Sequence, residues 1–229
     1  MRNNKVILSL LSLLLTISAI AQNGPSPWVE LEFSKKIVKN LKVEFNPELR
    51  FFNDFKIDTY ILEGGLSYKL HDYLTVAGYY RYENTNDYKP NREVFVWEPS
   101  NRFAFDAKTG IDIQRFNVSF RLRYTNGAEI NNPDEDRYSF FRYRTKIDYD
   151  IKGSKIIPYV SAEAFHDLKL NYFDKMRYTG GIAYPLNKDN ELSLFYRLQD
   201  YLEDPEIDES LHENKESMHI IGIGYSLKF

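Results

Sequence analysis

"LKVEFNPELRFF", residues 41–52, alternates from end to end. Leu41, Val43, Phe45, Pro47, Leu49 and Phe51 share one parity, and Lys42, Glu44, Asn46, Glu48 and Arg50 share the other. A period of two places successive side chains on opposite faces of an extended strand. One face is apolar and aromatic, and the other is ionic.

Outward from this stretch the same split recurs at 74–83, 102–113, 116–125, 192–199 and 220–229. Over these six segments the apolar parity holds no charged residue in 31 positions, against 14 in 31 on the other. Less regular segments follow at 28–37, 57–70, 138–150, 156–166 and 172–186, which makes eleven. The links alternate in length. "VKN" (38–40), "HDY" (71–73), "QR" near 114, "KGS" (152–154) and "NKDN" (187–190) are tight. The set between them is mostly longer and more polar, including "NTNDYKPNREVFVWEPS" from Asn84, "NGAEINNPDEDR" from Asn126 and "EDPEIDESLHENKE" from Glu203. Short turns at one end and long loops at the other is the outer-membrane barrel arrangement.

Alternation alone does not say which face is inside. A soluble sandwich or lipocalin-like barrel would bury the apolar parity and wet the ionic one. Strands of about ten residues instead match a tilted bilayer crossing, and apolar-face tyrosines (Tyr68, Tyr80, Tyr82, Tyr124, Tyr149, Tyr184) gather near segment ends, where an interfacial belt lies. The expected fold is therefore all-β, an antiparallel up-and-down transmembrane β-barrel of 10 or 12 strands. Twelve is preferred because single-chain bacterial barrels have even counts, and "EVFVWE" (93–98) supplies a candidate twelfth.

Residues 1–21, "MRNNKVILSLLSLLLTISAIA", read as a signal peptide: Arg2 and Lys5, an apolar run, then Ala19-Ile20-Ala21 as the cleavage signature. Cleavage after Ala21 leaves a barrel domain of 22–229 exported to the bacterial outer membrane. That part has 28 basic residues (30 less Arg2 and Lys5) against 33 acidic, which argues against a nucleic-acid partner. There is no cysteine, so there are no disulfides.

With the ionic parity inward, the lumen holds Arg81, Arg121, Arg123, Arg142, Arg144, Arg177 and Arg197 among its bases. Its acids include Glu44, Glu48, Glu63, Asp106 and Glu163. "RLR" (121–123) and "RYR" (142–144) lie on neighbouring strands, and four guanidinium groups on one wall need acids or anions opposite. Two readings stay open: a constriction that guides anions, or a closed interior braced by pairs with Asp106, Glu44, Glu48 or Glu163. The acidic loops (Asp134, Glu135, Asp136; Asp204, Glu206, Asp208, Glu209) lack the spacing of a calcium loop. Neither a metal nor a cofactor is expected. His219 with Ser217 is the one pair a lipid-modifying activity could use, and with no third orienting group the chain reads as a non-enzyme.

"WVELEF", "LKVEFNPELRFF", "GGLSYKL", "VAGYYRY", "EPSNRFAF", "RLRY", "FRYRTKI", "MRYTGGIAYPL" and "GIGYSLKF" together resemble a family of small Gram-negative outer-membrane β-barrels known only as a domain of unknown function. More distantly, size and the arginine-rich lumen are similar to narrow oligosaccharide porins of the oligogalacturonate-channel type. The resemblance implies outer-membrane lipid and the barrel-assembly machinery as partners. It also implies that Tyr225, Leu227 and Phe229 form the C-terminal insertion signal. The expected function is a narrow porin-like channel for small solutes, anions among them; the alternatives are a closed structural or accessory barrel of the envelope with no channel activity and, last, a lipid-modifying barrel enzyme.

Overall fold

The computed structural model describes residues 24–89, 93–131, 138–202 and 217–229. The expected signal peptide and the acidic runs 134–136 and 204–209 lie outside the described residues. Eleven strands follow in chain order: β1 (Ser26–Val38), β2 (Leu41–Phe51), β3 (Ile57–His71), β4 (Leu74–Lys89), β5 (Val94–Ile113), β6 (Phe116–Glu129), β7 (Tyr138–Tyr149), β8 (Ile157–Asp167), β9 (Tyr172–Pro185), β10 (Asn190–Tyr201) and β11 (Met218–Lys228). Each pairs antiparallel with its chain neighbour, and β1 closes on β11.

The count falls between the two values expected. Evenness assumes an antiparallel seam, but β1 and β11 run parallel, from Ser26 opposite Ile220 to Ser34 opposite Lys228. Slanted parallel hydrogen bonds close a sheet as completely as antiparallel ones, so no twelfth strand is required. "EVFVWE" adds none: Val94–Glu98 is the upper part of β5, paired with Thr85–Lys89 of β4. Most of the loop expected from Asn84 is therefore a hairpin extension, and β5 reaches 20 residues.

Register fixes the geometry. From Trp28, partners run through Arg50, Thr59 and Thr85 to Glu98 on β5. The other way round they run through Gly222, Phe195, Gly181, Tyr159, Asp148 and Asn117 to Asp112, also on β5. The ring thus closes with a stagger of 14 residues, the distance from Glu98 to Asp112. A stagger of this size goes with strands tilted by roughly 40°. Being even, it keeps every inward residue opposite another inward residue.

The five links expected to be tight all lie at the end that holds the C-terminus, although the β7–β8 link there spans 150–156 and the β8–β9 link at the opposite end is shorter, 168–171. Asn40 turns β1 into β2 at φ 72° and Gln114 turns β5 into β6 at φ 57°, the positive dihedrals that two-residue hairpins need. At the opposite end, Asp54 in the β2–β3 link accepts from the Lys56 backbone at 3.2 Å and from its ammonium at 2.7 Å. These bonds hold its carboxyl below the usual carboxylate range.

The two parities separate as expected. Val43, Phe45 and Leu49 are exposed on the outer surface, whereas Glu44, Asn46, Glu48 and Arg50 line the interior. The outer face carries large apolar side chains all the way round, including Leu62, Phe105, Val160, Ile182, Leu194 and Ile223. No described helix is long and apolar enough to cross a membrane.

Candidate functional site

The interior is a cavity of about 670 Å³ to which all eleven strands contribute. Its lining extends from Glu191 and Ser226, near the short-turn end, to Thr85, Tyr201 and Met218 toward the loop end.

Inward-facing glycines set the wall. Gly65, Gly181 and Gly222 each sit opposite an aromatic register partner, namely Tyr79, Tyr159 and Phe195. In each pair the ring occupies the space a Cβ would take. Rings laid flat on neighbouring glycines leave the middle to longer side chains. Phe195 packs with Trp28 and Ile220 in one small buried cluster, and Tyr79 with Ala77 and Ala104 in another.

Guanidinium groups cover these rings. Arg50, Arg177 and Arg197 lie over Trp28 at 4.1, 5.6 and 5.1 Å from its centroid. Arg142 and Arg177 lie over Phe165 at 4.5 and 4.9 Å, and Arg123 over Tyr79 at 5.0 Å. Such stacking fixes the planes of the arginines and takes the aromatic faces away from any solute. What the lumen offers is N–H edges.

The strands place "RLR" and "RYR" rung against rung: Arg121 is opposite Arg144, and Arg123 opposite Arg142. Three carboxylates answer them. Arg123 forks onto Asp106 through Nε–Oδ1 at 2.6 Å and Nη2–Oδ2 at 3.0 Å, and also reaches Glu63 at 3.2 Å. Glu63 accepts in addition from Arg81 at 2.9 Å. Glu163 collects Arg121 at 2.6 Å, Arg142 at 3.0 Å and Arg177 at 3.7 Å. Arg144, its own register partner, has no salt bridge among the described residues, and Arg121 Nε is buried without an acceptor.

Of the acids expected to brace the arginine cluster, Asp106 and Glu163 do so, while Glu48 instead pairs with Arg50 two residues along at 2.7 Å. Among the described residues Glu44 pairs with no arginine and takes the Ser67 and Tyr79 hydroxyls, both at 2.5 Å. Arg197 bonds Glu30 at 2.8 Å across the seam region. The importance of Glu63, which joins Arg81 to Arg123, did not stand out in the sequence, because only register shows it between the two.

Charge is distributed unevenly round the ring. Of nine acids lining the cavity, seven (Glu30, Glu32, Glu44, Glu48, Asp58, Glu63, Glu83) lie on β1–β4. Of twelve bases, ten lie on β5–β10. Asp106, Asp148 and Asp174 pair with the second set at Arg123, Lys146 and Lys175.

Outside the lumen, Ser217 donates to Asp200 at 2.7 Å and His219 bonds the Tyr196 hydroxyl, so the two are engaged with different partners. On β11, the Tyr225 hydroxyl donates to Asn190. Phe229 donates its N–H to Ser34 O at 2.8 Å and stacks on Phe33. The described residues contain no group of three or more His, Cys, Asp or Glu able to hold a metal ion.

No curated protein matches the chain. A family model described as "Protein of unknown function (DUF2490)" matches residues 26–207, most of the chain. The chain belongs to this family, and its closed barrel around a charged cavity gives that family name a physical form.

Proposed function

We propose that this protein is an integral outer-membrane barrel whose narrow, charged lumen passes small, anionic solutes. The observation that carries the reading is the pair of opposed surfaces. The ring encloses an ionic cavity and turns its apolar side chains outward. Water on that outer surface would expose an apolar area far beyond what soluble monomers tolerate.

Aromatic pairs ring the outside at two levels. Tyr60 with Tyr82 and Trp97, Tyr80 with Phe103, and Tyr124 with Phe141 lie toward the loop end. Phe116 with Tyr149 and Phe33 with Phe45 lie toward the turn end. An apolar band between two aromatic girdles suits a bilayer. On this reading the tight turns are periplasmic and the hairpins at the other end face outward.

The rival reading is a braced, closed accessory barrel, and the shared carboxylates of Glu63 and Glu163 favour it. Planar-bilayer recording separates the two. The channel reading expects small unitary conductance with a reversal potential toward the chloride equilibrium potential in a salt gradient. Folded protein that gives no current above background removes it.

A further inference from the structure

Among the described residues, groups of opposite sign on opposite sides of the lumen form no salt bridge. Arg144 on β7 has no salt bridge among the described residues, since Glu163 beside it serves Arg121, Arg142 and Arg177. Glu32 on β1 and Glu44 on β2 likewise form none, Glu44 being held only by hydroxyl groups. All three line the cavity. In the closed ring, β7 stands five strands from both β1 and β2, the largest separation eleven strands allow. These charges face one another across the full width of the interior and cannot meet.

Arg121 adds to the basic side. It is the register partner of Arg144, and its Nε has no acceptor. Two guanidinium groups with N–H donors to spare suit a carboxylate, which takes such donors in pairs. Two carboxylates on the far side suit an ammonium. A simple anion satisfies one wall and is repelled by the other, whereas a solute carrying both charges satisfies both.

We propose that the lumen binds small zwitterionic solutes crosswise, with the carboxylate on Arg144 and Arg121 and the ammonium on Glu32 and Glu44. This rests on the channel reading only in taking the lumen as a solute path; the solute it names is a net-neutral carboxylate that also carries a cationic group, in place of a simple anion.

The test is equilibrium binding to the purified, detergent-solubilised barrel. The probes are unbranched ω-amino acids of four to eight carbons, each beside its matching plain carboxylate and plain amine. At one or more lengths the amino acid should bind about tenfold tighter than either singly charged relative, the effect of one added charge pair. Arg144→Met and the double change Glu32→Gln with Glu44→Gln should each cut that preference below about twofold. High salt should erase it in the unaltered protein, a readout that needs no variant to fold. Plain carboxylates binding as tightly as the amino acids at every length would overturn the proposal, as would a preference indifferent to salt. Zwitterion preference without conductance sinks the channel and keeps the site; conductance without preference does the reverse.

Discussion

The ring of Phe195 on β10 lies against the α-carbon of Gly222, its register partner on β11, in space that any larger residue would need. The ring packs with Trp28 and Ile220 close to the seam. A valine at 222 pushes it toward the lumen, where Arg197 already stacks on its face at 4.5 Å. Gly222→Val should cost about 1–3 kcal/mol through overpacking. By contrast, Gly224→Ala meets chiefly the movable Ser193 hydroxyl and should cost much less. Urea midpoints of the two variants, refolded in the same detergent, check the order.

Among the described residues, Glu163 is the one carboxylate shared by Arg121, Arg142 and Arg177. Replacing it with glutamine keeps the shape and leaves three guanidinium groups facing one another. Breaking a buried ionic group from one side costs about 3–5 kcal/mol. Glu163→Gln should therefore lower the urea midpoint more than any single arginine-to-methionine change on β7. If the variant still forms a barrel, its reversal potential should also move toward the anion side.

Alternation in Leu41–Phe52 and its repeats is enough to assign the strands and to sort their residues onto two faces, because a period of two maps directly onto two surfaces; which face is inside follows from strand length and the placement of the tyrosines. The identity of the lumen arginines followed from that parity. Their partners did not. Whether Glu63 or Glu44 reaches Arg123 depends on register between strands far apart in sequence, and a slip of two residues keeps the parity while changing every pair. The buried lumen aromatics Trp28, Phe165 and Phe195 were obscured for a related reason. They stand on the ionic parity among charged neighbours and serve as flat supports for guanidinium groups, a role composition does not reveal. The parallel seam between β1 and β11 depends on how the ends meet, which local pattern cannot show.

Arg144 and Arg123 sit on neighbouring strands and differ in what they hold. Arg123 engages Asp106 and Glu63, so Arg123→Met leaves two carboxylates facing each other and should cost about 3 kcal/mol or more. Arg144→Met breaks no salt bridge among the described residues and trades repulsion from Arg121 and Arg142 against a longer-range attraction to Glu163, its register partner, so its cost should stay well below that of Arg123→Met. Paired urea unfolding curves decide this. Equal losses would mean that Arg144 carries an ionic partner after all.

The seam is the one place where two strands from opposite ends of the chain must find each other, and its outer surface is tied by three rings. Phe45 stacks on Phe33 at 6.4 Å and Phe33 on Phe229 at 6.5 Å, while the Phe229 N–H bonds Ser34 O. Phe229→Ala keeps the backbone bond and loses the ring. With an aromatic pair worth about 0.5–1.5 kcal/mol beyond its buried area, the folded barrel should lose roughly that much. Because β1 and β11 meet only when the ring closes, the loss should appear more strongly as slower conversion to the heat-modifiable, compact form during refolding into lipid. A control at Phe105, equally aromatic and outward but remote from the seam, should leave that rate nearly unchanged. Matched slowing in both would show that general outer-surface hydrophobicity, rather than the Phe45–Phe33–Phe229 row, governs closure.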